Sequence, residues 1–319
     1  MASSRRLYRA VATLFAASLL VTSCADSGSS GSDTGGDGAA AGGELTVAAF
    51  GFGESKILAN MYSLVLAQAG YDTSVKELTT REVVGPALEK GEVDVVPEYL
   101  GTYTEYLNLR ENGPDAEPLA SSDVESTFTN LEELADSVGV TVLEPSPAQD
   151  QNAFAVTNAF AEQNDISTLS ELGALDQALV LGGPPECPKR PFCQPGLENT
   201  YGVTVSEFTA LDAGGPLTKD ALAQGTIDVG LVFSSDGGIE ALDLTVLEDD
   251  LGLQTAENIT PAVNNDSFGE AIAEALAPVS SALTTEDLVA LNKQVDIDRE
   301  QPADVAQQWL EDQGLLTSS

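Results

Sequence analysis

Two segments of the chain place an aromatic side chain at the end of a short apolar strand pattern. GEVDVVPEY ends at Tyr99 and GTIDVGLVF ends at Phe233, and both begin with a glycine that closes a predicted helix. Ligands of open α/β sheets bind at the carboxyl ends of strands. The repeated pattern therefore predicts two lobes built on one plan, each presenting an aromatic side chain towards a ligand.

Composition excludes several kinds of catalytic and metal site. The chain has no histidine and three cysteines, which removes histidine acid–base catalysis, a Ser-His-Asp triad, histidine metal ligation and a four-thiolate zinc site. An exported hydrolase built on paired carboxylates stays open as an alternative, since acidic residues are plentiful. No segment sets two acids in an apolar pattern that would shift a pKa. We therefore expect a protein that is not an enzyme, with no cofactor and no metal.

Cys187 and Cys193 lie in the segment CPKRPFC. In an exported protein this spacing favours a disulfide. Such a short loop closes little chain entropy, so we expect the bond to shape the loop more than to stabilise the whole protein.

Strand and helix patterns alternate along the chain. Strands are predicted at 44–50, 71–78, 93–96, 140–143, 153–157, 178–181, 227–233 and 244–247. Helices are predicted at 55–69, 80–90, 102–108, 123–138, 169–175, 217–224, 268–276, 285–295 and 302–313, with a helical turn at 197–201. Thr284 or Thr285 is a candidate N-cap. The alternation predicts α/β lobes with largely parallel sheets.

The N-terminus has the pattern of an export signal. Arg5, Arg6 and Arg9 precede an apolar run over 10–21, and the run ends in Val-Thr-Ser before Cys24. The pattern resembles a bacterial lipoprotein signal, which predicts a signal peptide at 1–23, lipidation of Cys24 and a location on the outer face of the cell membrane. Residues 24–43 lack apolar bulk and are expected to form a flexible tether. An ordinary secretory signal and an uncleaved anchor are the alternatives.

The chain is strongly acidic, with 13 basic and 51 acidic residues and a formal net charge of -38. Nucleic acid is excluded as a partner, because phosphate binding needs clustered Lys and Arg. Such a surface suits a saline exterior, where counterions screen the repulsion. Lineage composition is the other explanation. A melting temperature that stays constant from low to molar salt would argue against the saline hypothesis.

Several longer motifs resemble one known family, the substrate-binding proteins of glycine betaine/choline-type ABC importers (the OpuAC-like family). They are FGFGESKILANMYSLVLAQAGY, TTREVVGPALEKGEVDVVPEYLGTY, GLENTYGV, GTIDVGLVFSSDGGIEALDLTVLEDD and the closing LTTEDLVALNKQVDID and PADVAQQWLEDQGL. The resemblance covers nearly all of residues 44–316. It implies a periplasmic-binding-protein type II fold, with two hinged lobes and a cleft between them. We place the crossovers near Ser146 and Gly237, so that lobe one is 44–146 plus 238–319 and lobe two is 147–237.

The resemblance also implies a ligand and a set of site residues. The family holds a trimethylammonium group in a cage of aromatic rings, which attract the cation through the ring quadrupole. Matching the motifs gives six candidate ligand-binding residues: Tyr99, Thr102, Tyr201, Phe233, Asn152 and Ser55.

Each of the aromatic and hydroxyl candidates has a plain structural alternative. Tyr99, Tyr201 and Phe233 could be core aromatic residues, and Thr102 and Ser55 could cap helices. Glu98, Asp94 and Asp228 are expected to be structural or solvated acids.

Asn152 departs from the family pattern, since it falls where a cage tyrosine is common. Phe154 points to the same strand face but is expected one layer deeper. Losing one ring could cost about 1–2 kcal/mol, so the ligand could differ from glycine betaine. A polar Asn152 could instead bond a hydroxylated or amide-bearing solute.

The leading functional hypothesis is a lipid-tethered, monomeric receptor of an ABC importer. It would bind an osmoprotective quaternary-ammonium solute, glycine betaine, choline or a related compound, in an aromatic cage between the two lobes. Its partners would be a small-molecule solute, a membrane permease and a cytosolic ATPase. The alternatives keep the fold and change the role, either to a different polar or aromatic solute or to a ligand sensor.

Overall fold

The computed structural model describes residues 42–113, 116–175 and 177–316. The predicted signal peptide, Cys24 and the tether up to residue 41 lie outside the described residues. In the described part of the chain, no helix is long and apolar enough to cross a membrane.

The first sheet contains five strands in the order β2-β1-β3-β10-β4. They are β1 (Glu44–Ala49), β2 (Asp72–Glu77), β3 (Val95–Tyr99), β4 (Val140–Val142) and β10 (Ile259–Asn264). β1 runs parallel to β2 and β3, whereas β10 runs antiparallel to β3 and β4.

The second sheet repeats this arrangement in the order β7-β6-β8-β5-β9. Its strands are β5 (Asn152–Thr157), β6 (Leu179–Gly183), β7 (Val205–Ala210), β8 (Val229–Phe233) and β9 (Leu244–Leu247). β6 runs parallel to β7 and β8, and β5 runs antiparallel to β8 and β9. The prediction of two α/β lobes is confirmed, but both sheets are mixed rather than largely parallel.

Eleven helices surround the sheets in the described residues. They are α1 (Gly53–Gln68), α2 (Arg81–Glu89), α3 (Leu100–Asn112), α4 (Val124–Ser137), α5 (Asn158–Asn164), α6 (Leu169–Gly173), α7 (Gln194–Gly196), α8 (Pro216–Ala223), α9 (Glu270–Ala282), α10 (Thr285–Asp296) and α11 (Pro302–Asp312). Leu197–Tyr201 forms a π-helical turn. Thr284 caps α10, because its hydroxyl accepts from the Asp287 amide and the Asp287 carboxylate reaches back.

The chain crosses from the first sheet to the second between β4 and β5, the interval that contains Ser146. The return crossover lies later than we expected. β9 pairs with β5 in the second sheet, so the chain leaves that sheet after Leu247 and not near Gly237. The two crossovers contact each other, since Gln149 and Asn258 form an isolated antiparallel bridge and Asn258 Nδ2 donates to the Ser146 carbonyl at 2.8 Å.

The sequence patterns missed β7, β10 and α5. β10 is buried along its whole length, so it lacks the alternation of a half-exposed strand. It also contains Pro261, which argues against a central strand. The fold accommodates this proline opposite Pro97 of β3.

An aspartate at the start of each sheet's inner strand braces that strand against its neighbour. Asp94 Oδ2 accepts from the Thr46 amide at 2.7 Å, and Asp228 Oδ2 accepts from the Val180 amide at 2.7 Å. Both aspartates are therefore structural, and they fix the strands that end at Tyr99 and Phe233.

Candidate functional site

A cavity of about 930 Å³ opens between the ends of the two sheets. Both lobes line it. Four of the sequence candidates lie on its wall, namely Tyr99, Thr102, Asn152 and Phe233.

Strand register explains the positions of Asn152, Phe233 and Tyr99, and Thr102 follows Tyr99 on the first turn of α3. Asn152 begins β5 and pairs with Phe233, the last residue of the antiparallel β8. In the first sheet, Ile259 begins β10 and pairs with Tyr99, the last residue of β3. In each sheet the segment before the antiparallel strand therefore lies beside the aromatic strand end.

Three aromatic rings of lobe one form a cluster at the cavity. Phe50 and Phe52 are stacked with centroids 6.0 Å apart, and Phe52 lies 6.1 Å from Tyr99 at a tilt of 39°. Phe52 is 45% exposed, whereas Phe50 and Tyr99 are buried. Arg81 covers the Phe50 ring at 5.5 Å. Phe52 therefore offers the accessible ring surface of lobe one, the buried Tyr99 ring lies on the cavity wall beside it, and Phe233 is contributed by lobe two.

Glu54 links the ring cluster to α10. Tyr99 Oη donates to Glu54 Oε1 at 2.8 Å, and Asn292 Nδ2 donates to Glu54 Oε2 at 2.6 Å and to the Ser235 carbonyl at 2.9 Å. Burial raises the pKa of the Glu54 carboxyl. Burial, together with the neighbouring Glu54, also raises the pKa of the Tyr99 hydroxyl well above its ordinary value.

Two more carboxyls come from the crossovers, the buried Glu257 and the half-buried Asp150. Glu257 accepts from the Thr102 amide at 3.1 Å and from its hydroxyl at 3.3 Å, and burial raises the pKa of Glu257 to about 7. Asp150 accepts from Ser235 Oγ at 2.8 Å. Burial and then the charge of Glu54 raise the pKa of Asp150 well above its ordinary value.

The cations on the cavity wall include two that are already ion-paired. Arg81 Nη2 lies 2.8 Å from Glu98 Oε2, a carboxylate that is 1% exposed. Lys219 Nζ donates to both oxygens of Asp236 at 2.9 and 2.7 Å. Glu98 is therefore structural, as expected.

Two candidates, Tyr201 and Ser55, are not among the residues that line the cavity. Tyr201 is packed in the core of lobe two, where its hydroxyl donates to Asp249 Oδ1 and accepts from the Leu251 amide at 2.9 Å. Ser55 is fully buried, and its hydroxyl accepts from the Phe50 amide at 2.8 Å, so it holds the end of β1 against α1.

The structure also bears on helix capping by Ser55 and Thr102 and on the depth of Phe154. Neither Ser55 nor Thr102 caps a helix, since Phe52 and Tyr99 occupy those N-cap positions. Phe154 lies in the core of lobe two, one layer deeper than Asn152, as expected.

The disulfide prediction is confirmed, because Cys187 and Cys193 are bonded. The loop they close reaches the site indirectly. Gln254, which lines the cavity, donates from Nε2 to the Phe192 carbonyl inside this loop at 3.0 Å.

Sequence reasoning missed Phe50, Phe52, Glu54, Asp150 and Glu257. The segment FGFGE did carry a signal, because two aromatic residues and an acid follow a strand end directly. Glu257 and Asp150 had none, since they approach the site only through the pairing of β10 with β3 and of β5 with β8.

Comparison with known proteins gives consistent matches over most of the chain. Residues 43–312 match the family model described as the substrate binding domain of ABC-type glycine betaine transport system, OpuAC. The glycine betaine-binding protein YehZ of Escherichia coli K12 is 28% identical over 82% of this chain and 88% of its own length. A glycine-betaine-binding protein of Pseudomonas aeruginosa is 27% identical over 83% of this chain and 86% of its own length. The solved structure of apo YehZ from Escherichia coli superposes with a TM-score of 0.73 at 25% identity, covering 86% of this chain and 99% of that chain.

Proposed function

Because the chain belongs to the family of substrate-binding domains of ABC-type glycine betaine transport systems, we propose that it binds a quaternary-ammonium solute against the rings of Phe52, Tyr99 and Phe233. The periplasmic-binding-protein type II fold implied by the sequence is confirmed. Members of this family are extracytoplasmic transport proteins that bind small solutes and work with a permease and an ATPase.

The observation that carries the proposal is the ring cluster in a cavity shared by both lobes. A trimethylammonium group cannot donate a conventional hydrogen bond, and it is attracted to aromatic faces by their quadrupole. Phe52 and Tyr99 stand 6.1 Å apart at the cavity, and Phe233 lies on its lobe-two wall. Thr102 and Asn152 supply polar groups for the rest of the solute. Closure about the two crossovers would bring the lobe-two residues onto the bound solute.

Phe52 offers a direct test, because it lines the cavity yet is 45% exposed, so its truncation should not unfold the protein. Phe52→Ala should weaken binding of a quaternary-ammonium solute about three- to tenfold, the size of a cation–π contact of roughly 1 kcal/mol. Phe268→Ala is the matched control, since Phe268 is 39% exposed and lies outside the cavity lining.

Isothermal titration of glycine betaine, choline and carnitine would measure the effect. Binding of none of these solutes by the wild-type protein would refute the function. Equal affinities in Phe52→Ala and Phe268→Ala would refute the assigned rings.

The proposed location includes a lipid anchor at Cys24, with residues 1–23 removed and 24–43 serving as the tether. The Val-Thr-Ser-Cys sequence after an apolar run supports this proposal. Labelled palmitate should enter the wild-type protein and not Cys24→Ser. Incorporation into both would argue against Cys24 as the modified residue. We further propose a monomer, which light scattering of the purified protein would check.

A further inference from the structure

The wall of the cavity has an excess of carboxyl groups. Six acidic and three basic side chains line its described surface. Two of the basic groups are already engaged, Arg81 by Glu98 and Lys219 by Asp236. The third, Arg299, is exposed at the rim. A ligand carboxylate would thus have to compete with an existing ion pair or bind at the rim.

Three of the acids have only neutral hydrogen-bond donors. Glu54 accepts from Tyr99 and Asn292, Asp150 accepts from Ser235, and Glu257 accepts from Thr102. In the described part of the chain, none of the three forms a salt bridge with a Lys or Arg nitrogen. Glu54 and Glu257 are 4% and 6% exposed. A buried carboxylate without an ion-pair partner is costly, so a cationic ligand would stabilise the ionised form of these acids.

The three acids lie around the aromatic cluster rather than apart from it. Glu54 contacts Tyr99 directly, and Thr102, which binds Glu257, lies one helical turn beyond Tyr99. A cation held against the rings would therefore be close to carboxyl groups supplied by α1 and by both crossovers. A cation bound here would be attracted both by the ring faces and by the carboxyl groups.

Resting on the proposed function, we propose that the cavity selects a solute with net positive charge, a methylated ammonium group joined to an uncharged tail, and that Glu54, Asp150 and Glu257 are its counter-ions. A zwitterion such as glycine betaine brings a carboxylate into the same acidic surroundings. Choline has the same ammonium group and a hydroxyl tail, which can donate to these acceptors. Choline should therefore bind at least tenfold more tightly than glycine betaine.

Binding should also release protons. The acids are influenced by Tyr99 on β3, Asp296 on α10, and the Arg81–Glu98 and Lys219–Asp236 pairs. Burial holds the pKa of Glu257 at about 7, so it is largely protonated at pH 6 in the free protein. A bound cation favours the carboxylate and lowers this pKa, so affinity rises with pH. For one group with a pKa near 7, the gain between pH 6 and pH 8 is about tenfold.

The test is calorimetric titration of the purified protein with choline and with glycine betaine at pH 6 and pH 8. Each titration is run in two buffers of different ionisation enthalpy, which measures protons released. Glu257→Gln should weaken choline binding and flatten its pH dependence, while glycine betaine changes less. Asp150→Asn provides an independent second variant, and melting curves verify that both fold. Glu132→Gln, an exposed acid on α4, is the control and should behave as the wild type.

A choline preference with proton release that falls in the variants supports the proposal. Glycine betaine binding as tightly as choline, or choline affinity that does not rise with pH, overturns it and leaves the proposed function standing. Failure of every quaternary-ammonium solute to bind overturns both.

Discussion

The two lobes share an aspartate that bonds one strand to its neighbour, a contact we call the brace, and they differ at the end of the strand that follows it. In both, an aspartate starts the strand and bonds the amide of the neighbouring strand, Asp94 to Thr46 and Asp228 to Val180, each at 2.7 Å. Five residues later each strand ends in an aromatic residue, Tyr99 or Phe233. In each repeat, the aspartate is therefore structural and the terminal aromatic residue lines the cavity.

Beyond the brace the chemistry of the lobes diverges. Lobe one adds Phe50 and Phe52 and buries Glu98 under Arg81. Lobe two follows Phe233 with two serines and Asp236, which pairs with Lys219. The ring cluster therefore belongs mainly to lobe one, and lobe two contributes mostly polar groups. We infer that lobe one makes the first contact with the solute and that lobe two completes the enclosure.

The largest expected effect is on solute affinity, and it distinguishes Tyr99 of lobe one from Tyr201 of lobe two. Tyr99→Ala should weaken solute binding tenfold or more, because a desolvated cation–π contact is worth about 2 kcal/mol. Tyr201→Ala should change affinity less than about threefold, equivalent to well under 1 kcal/mol. It should instead lower the free energy of unfolding by about 3 kcal/mol or more, since it empties a packed aromatic site.

Calorimetry and urea unfolding separate these outcomes. The family resemblance alone predicts a tenfold loss of affinity for both variants. That result would place Tyr201 in the ligand cage and contradict its position in the lobe-two core. Tyr99→Phe keeps the ring and removes only the bond to Glu54, so it serves as the control for the Tyr99 contact.

A second test compares the two braces, where an effect on stability is expected. Asp228→Ala should cost about 1.5–3 kcal/mol, the value of a hydrogen bond to a charged group. Asp94→Ala should cost more, because Asp94 also accepts from the Ser267 hydroxyl. Asp228→Asn and Asp94→Asn retain an acceptor and should lose less. Urea denaturation measures all four, and equal costs for the two alanine variants would show that the Ser267 bond contributes nothing.

The sequence predicted the scaffold better than the site, for reasons visible in particular residues. Pattern reading located most helices by their periodicity, β1 by its alternation, and β8 as an apolar run between Gly225 and Phe233. It missed β10, whose six residues are all buried. Family matching selected Tyr99 and Phe233, and both line the cavity because the motif and the strand end coincide.

Tyr201, Glu257 and Asp150 show where such inference ends. Tyr201 sits in a matching motif, yet Asp249 and Leu251 hold its hydroxyl inside the lobe. Glu257 and Asp150 lie in crossovers with no motif, and only the antiparallel register carries them to the site. A linear pattern contains neither the partners of a side chain nor the register of a distant strand.

The last test concerns the disulfide, which has no counterpart in lobe one. Opening it in the paired Cys187→Ser, Cys193→Ser variant should cost about 2 kcal/mol, because the closed loop is short. We expect the loop to influence ligand affinity through Gln254, which lines the cavity and donates a hydrogen bond to the Phe192 carbonyl in the loop. One neutral hydrogen bond contributes about 1 kcal/mol, so affinity should fall no more than about fivefold. Gln254→Ala in the oxidised protein should reproduce that loss. If the paired serine variant binds much more weakly than Gln254→Ala, the loop shapes the site by a second route, and lobe two contributes more to recognition than its few ring contacts indicate.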